Sequence, residues 1–328
     1  MSEINTARQF WIQAPGHGEI VTASLPPGQP NEVQVCTLFS GISRGTESLV
    51  FGGQVPPSQY QSMRAPFQEG DFPGPVKYGY NSVGEVQADR HTPADLAGQT
   101  VFCLYPHQDR YWIDPDALTP VPSDVPASRA VLAANMETAV NAVWDAQPAV
   151  GDYIVVVGAG VVGLLISWLC RQLPGAKVVA VDVNPTRKKV AAELGIQLVT
   201  AVPADTEADL VIHASGQPEG LRDALVVAGH ETTIVDVSWY GNQSVSLPLG
   251  EAFHSRRLTL KSSQVGRLNP NQTPRWNQAR RMALAMELLR DGHLDVLITG
   301  ESPFEELPEV MARLSQDPGT TLCHRICY

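Results

Sequence analysis

The chain has 328 residues, 43% of them hydrophobic and 17% charged; this length suggests about two domains, and the apolar content excludes disorder over most of the chain. A formal net charge of −11 argues against nucleic acid or an anionic membrane as partner, since both repel a negative average surface. The five cysteines, at 36, 103, 170, 323 and 327, form no CxxC pair, so neither a disulfide framework nor a zinc ribbon is indicated.

The first residues, MSEINTARQF, lack a basic start followed by an apolar run. They do not read as a signal peptide, and a cytoplasmic protein is expected. Positions 1–126 hold 15 of the 26 prolines; proline removes a ladder donor, so short strands with many loops are expected there. Glu32–Leu38 (EVQVCTL) and Val101–Leu104 read as two of these strands. From about residue 150 apolar runs alternate with helical patterns, which predicts parallel β-α-β units. Tyr153–Val157 (YIVVV) reads as a buried strand, Val161–Gln172 as a helix and Lys177–Val181 as the next strand. A helix is expected over Pro185–Leu194, capped by Asn184, opened by Pro185 and ended by Gly195. Strands follow at Asp209–His213 and Thr232–Val237, with a helix around Glu219–Val227 between them. An Arg-rich loop comes after residue 266, then a helix near Trp276–Leu289 and a last strand, Leu322–Tyr328. Tyr153–Cys170 carries no charge. It is too short for a comfortable membrane span, and its glycines have a better explanation.

That explanation is VVVGAGVVG, residues 155–163, which sets Gly158, Gly160 and Gly163 in G-x-G-x-x-G between a strand and a helix. The first glycine permits a tight turn, the second lets the backbone approach a pyrophosphate, and the third lets the helix pack on the sheet. Val161 and Val162 open the helix, whose free N–H groups and positive dipole end face the phosphates. Asp182 ends the next strand, 19 residues after Gly163, where a carboxylate accepts from the adenosine ribose and repels a 2′-phosphate. NAD is therefore expected over NADP, with Arg187 and Lys188 close enough to soften the preference. A βαβ unit without nucleotide is the bland alternative.

With SGISRGTE (40–47), PVKYGYNSVGEV (75–86), METAVNA (136–142), VDVNPTRK (181–188) and HASG (213–216), the whole chain resembles the medium-chain dehydrogenase/reductase superfamily. SGIS-x-GTE and GY-x-SVG are also similar to its branch that contains bacteriochlorophyllide a dehydrogenase, which does not by itself carry over a tetrapyrrole substrate. The resemblance implies an α/β protein with a GroES-like, β-rich catalytic domain (1–125), a doubly wound parallel-sheet Rossmann domain (126–266) and a C-terminal return to the catalytic domain (267–328). It implies further cofactor contacts at Ser215 in HASG and at Ser238 in SWYG (238–241), the loop placed beside the nicotinamide. It also implies a homodimer paired through the strand region near Leu258–Gln264.

The departures from that pattern bear on the chemistry. Where zinc-binding members of the superfamily carry Cys, His and a third ligand, this chain has Ser43, Tyr80 within Gly79-Tyr80-Asn81, and Ala-Ala-Asn-Met-Glu (133–137). Hydroxyls are poor zinc ligands beside thiolate and imidazole, and Cys103 stands alone where a four-cysteine lobe is usual. No zinc is expected. A substrate oxygen then needs hydrogen-bond donors and a proton source. Thr46 matches the hydroxyl that touches the substrate oxygen, and Tyr80 could act as the acid in reduction; a turn hydrogen bond and pocket packing are their bland readings. A cation would lower the phenol's pKa, and Lys77 is close in sequence, though sequence does not say whether it points inward. Asn135 and Glu137 fall beside the lost third ligand, where Glu137 can equally serve a structural network. Arg44 fits a phosphate or a surface ion pair, and His107 in PHQDRY a catalytic base or a structural histidine. Trp239 and Tyr240 could wall a flat substrate or simply pack. The cluster His254-Ser255-Arg256-Arg257 reads as an anion site or a solvated loop. The leading expectation is a zinc-independent, NAD-dependent oxidoreductase acting on a small alcohol or carbonyl. The alternatives are a C=C reductase of the same superfamily and a non-catalytic NAD(H) sensor.

Overall fold

Short proline-punctuated strands fill the N-terminal third of the protein, whose structure is a computed structural model describing residues 6–88, 92–203, 205–317 and 319–328. They are β1 (Thr6–Ala14), β2 (His17–Ser24), β3 (Val33–Ile42), β4 (Glu69–Gly70), β5 (Val76–Lys77), β6 (Ser82–Val86), β7 (Thr100–Cys103), β8 (Arg110–Ile113) and β9 (Thr119–Pro120). Helix α1 (Arg44–Phe51) follows β3, and α2 (Ala127–Ala130) precedes α3 (Ala133–Ala146). The middle alternates: β10 (Tyr153–Val157), α4 (Val161–Cys170), β11 (Lys177–Val181), α5 (Arg187–Glu193), β12 (Gln197–Val199), β13 (Ala208–His213), α6 (Pro218–Val227), β14 (Ala228–Asp236) and β15 (Thr259–Ser262). The chain closes with α7 (Gln278–Leu288), β16 (Ile298–Pro303), α8 (Leu307–Gln316) and β17 (Cys323–Cys327).

Two compact units result: Met1–Ala134 with Met286–Tyr328, and Asn135–Ala285. The boundaries fall inside α3 and α7. In the first unit β2-β1-β5-β4 form one sheet and β16-β17-β3-β6-β7-β9 a second, with β8 also paired to β3. The C-terminal strand β17 runs antiparallel to β3, setting Ile326 opposite Ser40. Val33, Val35, Val86, Val101, Tyr111 and Ile113 alternate inward to form part of its core.

The second unit is a six-stranded sheet in the order β12-β11-β10-β13-β14-β15, parallel throughout. Its strands are apolar on both faces, as parallel strands covered by helices must be. Val155, Val211 and Ile234 pack with Leu221, Ala224 and Leu225 of α6. The register aligns the carboxyl ends: Val181 lies beside Val157, Val157 beside His213, and His213 beside Asp236. The residues that follow each strand therefore gather on one rim.

Helix α5 starts two residues later than the sequence predicts. Its N-cap is Thr186 rather than Asn184, which instead closes a turn ahead of the helix, its Oδ1 accepting the N–H (3.0 Å) and O–H (2.7 Å) of Thr186. Strand β3 runs on to Ile42, beyond the expected end at Leu38, because β6 and β17 pair with its second half.

Candidate functional site

The glycine turn lies on the rim of the parallel sheet. Gly158 has φ +104, a left-handed conformation open to glycine, and a Cβ there would come within 2.6 Å of the Ser215 amide nitrogen. Gly163 packs closer still: a Cβ would lie 1.8 Å from the Gly158 carbonyl oxygen. Gly160 is the extended N-cap of α4, and its carbonyl receives the Leu164 N–H at 2.9 Å. Helix geometry leaves the N–H groups of the first turn, Val161 and Val162 included, without an intrahelical acceptor. Asp182 faces this turn. Its Oδ2 accepts the Ala159 N–H and its Oδ1 the Asn184 N–H, both at 2.8 Å. Each oxygen keeps a lone pair for a further donor. The cradle fits a dinucleotide: two glycines cannot carry a side chain, a helix end points at the turn, and a fixed carboxylate stands beside it. Arg187, the first residue of α5, is buried, while Lys188 is exposed.

On the other side of β10 a polar cluster closes β13 and β14. His213, fully buried, sets Nε2 2.6 Å from Ser215 Oγ and Nδ1 2.9 Å from Asp236 Oδ1. Asp236 Oδ1 also accepts the Ser238 N–H at 2.9 Å, and Oδ2 the Tyr240 hydroxyl at 2.9 Å. Burial alone would raise the Asp236 carboxyl, but His213, the Ser238 amide and the Tyr240 hydroxyl hold it below the usual carboxylate range. Burial and the Asp236 charge push the Tyr240 phenol up. Ser238 Oγ in turn accepts the Gly216 N–H at 3.0 Å. Ser215 and Ser238 are thus brought together through His213, which the sequence analysis passed over. The signal was a histidine and an aspartate each ending an apolar strand.

In the first unit two of the positions of the missing metal ligands, Ser43 and Tyr80, lie near each other, while Asn135 and Glu137 belong to the second unit. Burial, then the Glu47 charge, raises the Tyr80 phenol well above its ordinary value, and the nearby Ser43 and Thr46 side chains act in the opposite direction. Glu47, buried on α1, accepts the Ser43 N–H through Oε1 at 2.7 Å. Its Oε2 lies 2.8 Å from His107 Nε2. His107 Nδ1 is 2.7 Å from Ser40 Oγ, which is 3.0 Å from the Tyr328 hydroxyl. His107 is thus a buried histidine within a network, and its ring fills space that a side chain on Gly79 would take: a Cβ there would sit 2.8 Å from Cδ2. Lys77 points inward, but to Glu69 and to Gln108 Oε1 at 2.6 Å; burial lowers its pKa.

The other candidates divide. Glu137 is paired with the buried Arg281 at 3.1 Å. Arg281 also donates to Asn141 Oδ1 at 2.5 Å and to the Val265 carbonyl at 2.6 Å. Burial raises the Glu137 carboxyl and Arg281 partly offsets this, so Glu137 serves a structural network. Asn135 is buried. Arg44 reaches the Thr321 carbonyl at 3.4 Å. Arg256 donates to the carbonyls of Val226 and Ala228, and Arg257 pairs with Glu231. Tyr240 packs on His213, ring centroids 6.2 Å apart, and Trp239 is half-buried. All five cysteines are free thiols.

A structural or catalytic zinc does not fit this donor set. Ser43 and Tyr80 offer hydroxyls where thiolate and imidazole would be needed, and Glu137 is committed to Arg281. Among the described residues no group of three or more His, Cys, Asp or Glu could hold a metal ion. Among the same residues no helix is long and apolar enough to cross a membrane.

The glycine cradle on a six-stranded parallel sheet, with a separate β-rich unit, defines the class: a two-domain α/β nucleotide-binding fold. No family model matches the chain. It is 28% identical over 196 residues to D-guloside 3-dehydrogenase of Escherichia coli K12, a match spanning 55% of this chain and 56% of that protein. It is 27% identical over 320 residues to L-galactonate-5-dehydrogenase of the same organism, covering 88% and 89% of the two chains. Its fold matches an alcohol dehydrogenase of Escherichia coli CFT073, solved with the cofactor NADH, with TM-score 0.77 and 18% identity over 99% of this chain and 100% of that one. The likeness to the solved structure shows a shared fold, and the sequence relatives named are dehydrogenases.

Proposed function

We propose that the protein is a zinc-independent, NAD(H)-dependent oxidoreductase acting on an alcohol/carbonyl pair. The observation that carries this reading is the Gly158–Gly163 turn with Asp182 bonded to its Ala159 amide. The named relatives are dehydrogenases, which supports an alcohol rather than a C=C substrate. The cofactor, when bound, supplies or accepts the hydride.

The chain's own groups do the rest. The first-turn amides of α4, from Val161 and Val162, hold the diphosphate against the Gly158–Gly160 turn. Asp182 accepts the adenosine ribose hydroxyls and repels a 2′-phosphate, so NAD(H) is used in preference to NADP(H). Arg187, Ser215 and Ser238 belong to the same binding region. In the first unit Tyr80 holds the proton that goes to the substrate oxygen, and Thr46 orients that oxygen. A phenol with a raised pKa stays protonated over the working range, and as a weaker acid it gives up its proton only as full negative charge develops on the substrate oxygen. The protein works as a cytoplasmic homodimer joined through β15.

Calorimetric titration of the purified protein with NADH tests the reading, followed by loss of the cofactor's near-ultraviolet absorbance with ketone and enone panels. Binding without turnover of any ketone would remove the catalytic half of the proposal. Failure to bind either nicotinamide dinucleotide would remove all of it.

A further inference from the structure

We propose that the buried His213–Asp236 pair makes the nucleotide site discriminate between oxidised and reduced nicotinamide through its charge. The inference rests on the proposed NAD(H) site and adds a specificity-determining residue to it.

The location follows from the register. Asp182 ends β11, on one side of β10, and His213 and Asp236 end β13 and β14 on the other. A dinucleotide with its adenosine at Asp182 and its diphosphate at the glycine turn extends toward the β13–β14 rim with its nicotinamide end. Ser215, two residues past β13, already touches the turn, since the Gly158 Cα faces its amide.

The protonation pattern follows from the partners. Asp236 receives three donors, the Ser238 amide, the Tyr240 hydroxyl and His213, so it is the ionised member. A carboxylate only accepts, so a neutral His213 carries its proton on Nδ1 and takes the Ser215 O–H at Nε2. In that state the pair bears one negative charge.

Few other charges interfere. Asp236 and Tyr240 are the titratable groups facing the ring from β14 and its following loop. Strand β10 presents Val157, and α6 presents Gly220, where a Cβ would lie 3.0 Å from Nε2. Glu219 of α6 is exposed, 3.9 Å from Arg222. Oxidised nicotinamide is a cation and the reduced ring is neutral. The negative pair attracts the former. The two cofactors share diphosphate and adenosine, so the difference between them isolates the charge at the rim.

The experiment is calorimetric binding of NAD+ and of NADH to the wild type and to Asp236→Asn. The substitution removes the charge of the pair, and the ratio of Kd for NAD+ to Kd for NADH should rise about three- to tenfold, the size expected of one charge acting through partly screened protein. An unaltered ratio in folded Asp236→Asn overturns the inference and leaves the NAD(H) site standing. Should Asp236→Asn fail to fold, a wild-type ratio that does not rise with added salt overturns it equally, because salt screens the attraction for the cation alone. Failure of the wild type to bind either dinucleotide overturns both the inference and the site.

Discussion

Tyr80 and Asp182 carry most of the chemistry proposed here, and each is testable alone. Tyr80→Phe removes one oxygen and leaves the ring in place. Reduction should fall about a hundredfold or more, the usual weight of a positioned proton donor, while NADH affinity stays within error. The phenol is pushed up by burial and by Glu47. Its protonated form therefore persists above the ordinary phenol value of about 10. Reduction should show no alkaline loss from Tyr80 up to that pH, and a rate profile falling with a midpoint below it would assign the proton elsewhere. Asp182→Ala deletes the group that repels a 2′-phosphate. A parent that oxidises NADH alone should become a variant that uses NADH and NADPH about equally in steady-state assays. The substitution also strips the acceptor from the Ala159 and Asn184 amides, so a loss of about 1–3 kcal/mol in stability is expected beside it.

At the scale of elements, the β10–α4 unit was legible because its requirements are local. A β-branched strand, three spaced glycines and an apolar helix lie within 18 residues, Tyr153 to Cys170. The structure adds why the third glycine is obligatory. Gly163→Ala would drive a methyl group to 1.8 Å from the Gly158 carbonyl oxygen, so the helix must tilt away from the turn. Thermal unfolding should drop by an amount matching about 1–3 kcal/mol, and NADH binding should weaken much more than under Ala159→Ser. Contacts that span the chain were not legible. Glu47 meets His107 60 residues away and Glu137 meets Arg281 144 residues away. Neither pairing leaves a periodic trace, and each waits on strands and helices from distant segments. Tyr80 feels the Glu47 charge, and the imidazole that meets Glu47 comes from the 104–109 loop, which no spacing near Tyr80 announces. The start of α5 was missed for a smaller reason: Pro185 fits a turn as well as a first helical residue, and Asn184 closes that turn with Thr186.

For the molecule as a whole, the edge of the second unit's sheet poses the remaining question. Strand β15 pairs with β14 on one side, and among the described residues its other side meets no strand. Such an edge exposes backbone donors and acceptors and is usually blunted, covered or paired. Here it carries exposed Leu260 between Thr259 and Lys261, and Lys261 is turned to the Asp145 carbonyl at 2.8 Å. The edge is thus apolar at its centre, with its lysine engaged within the unit rather than guarding the strand. A two-fold axis through β15 would pair the strand with its copy and extend the six-stranded sheet to twelve, burying Leu260 against its symmetry mate. Analytical ultracentrifugation should then find twice the chain mass at micromolar concentration. Leu260→Lys puts like charges opposite one another across that axis and should shift the species to the single-chain mass. NADH affinity per chain should be retained, because Leu260 lies outside the glycine turn and the β13–β14 rim. The unfolding temperature of the parent should rise with protein concentration and that of the variant should not, as mass action requires. A parent that sediments as one chain would leave β15 an open edge and end the dimer proposal.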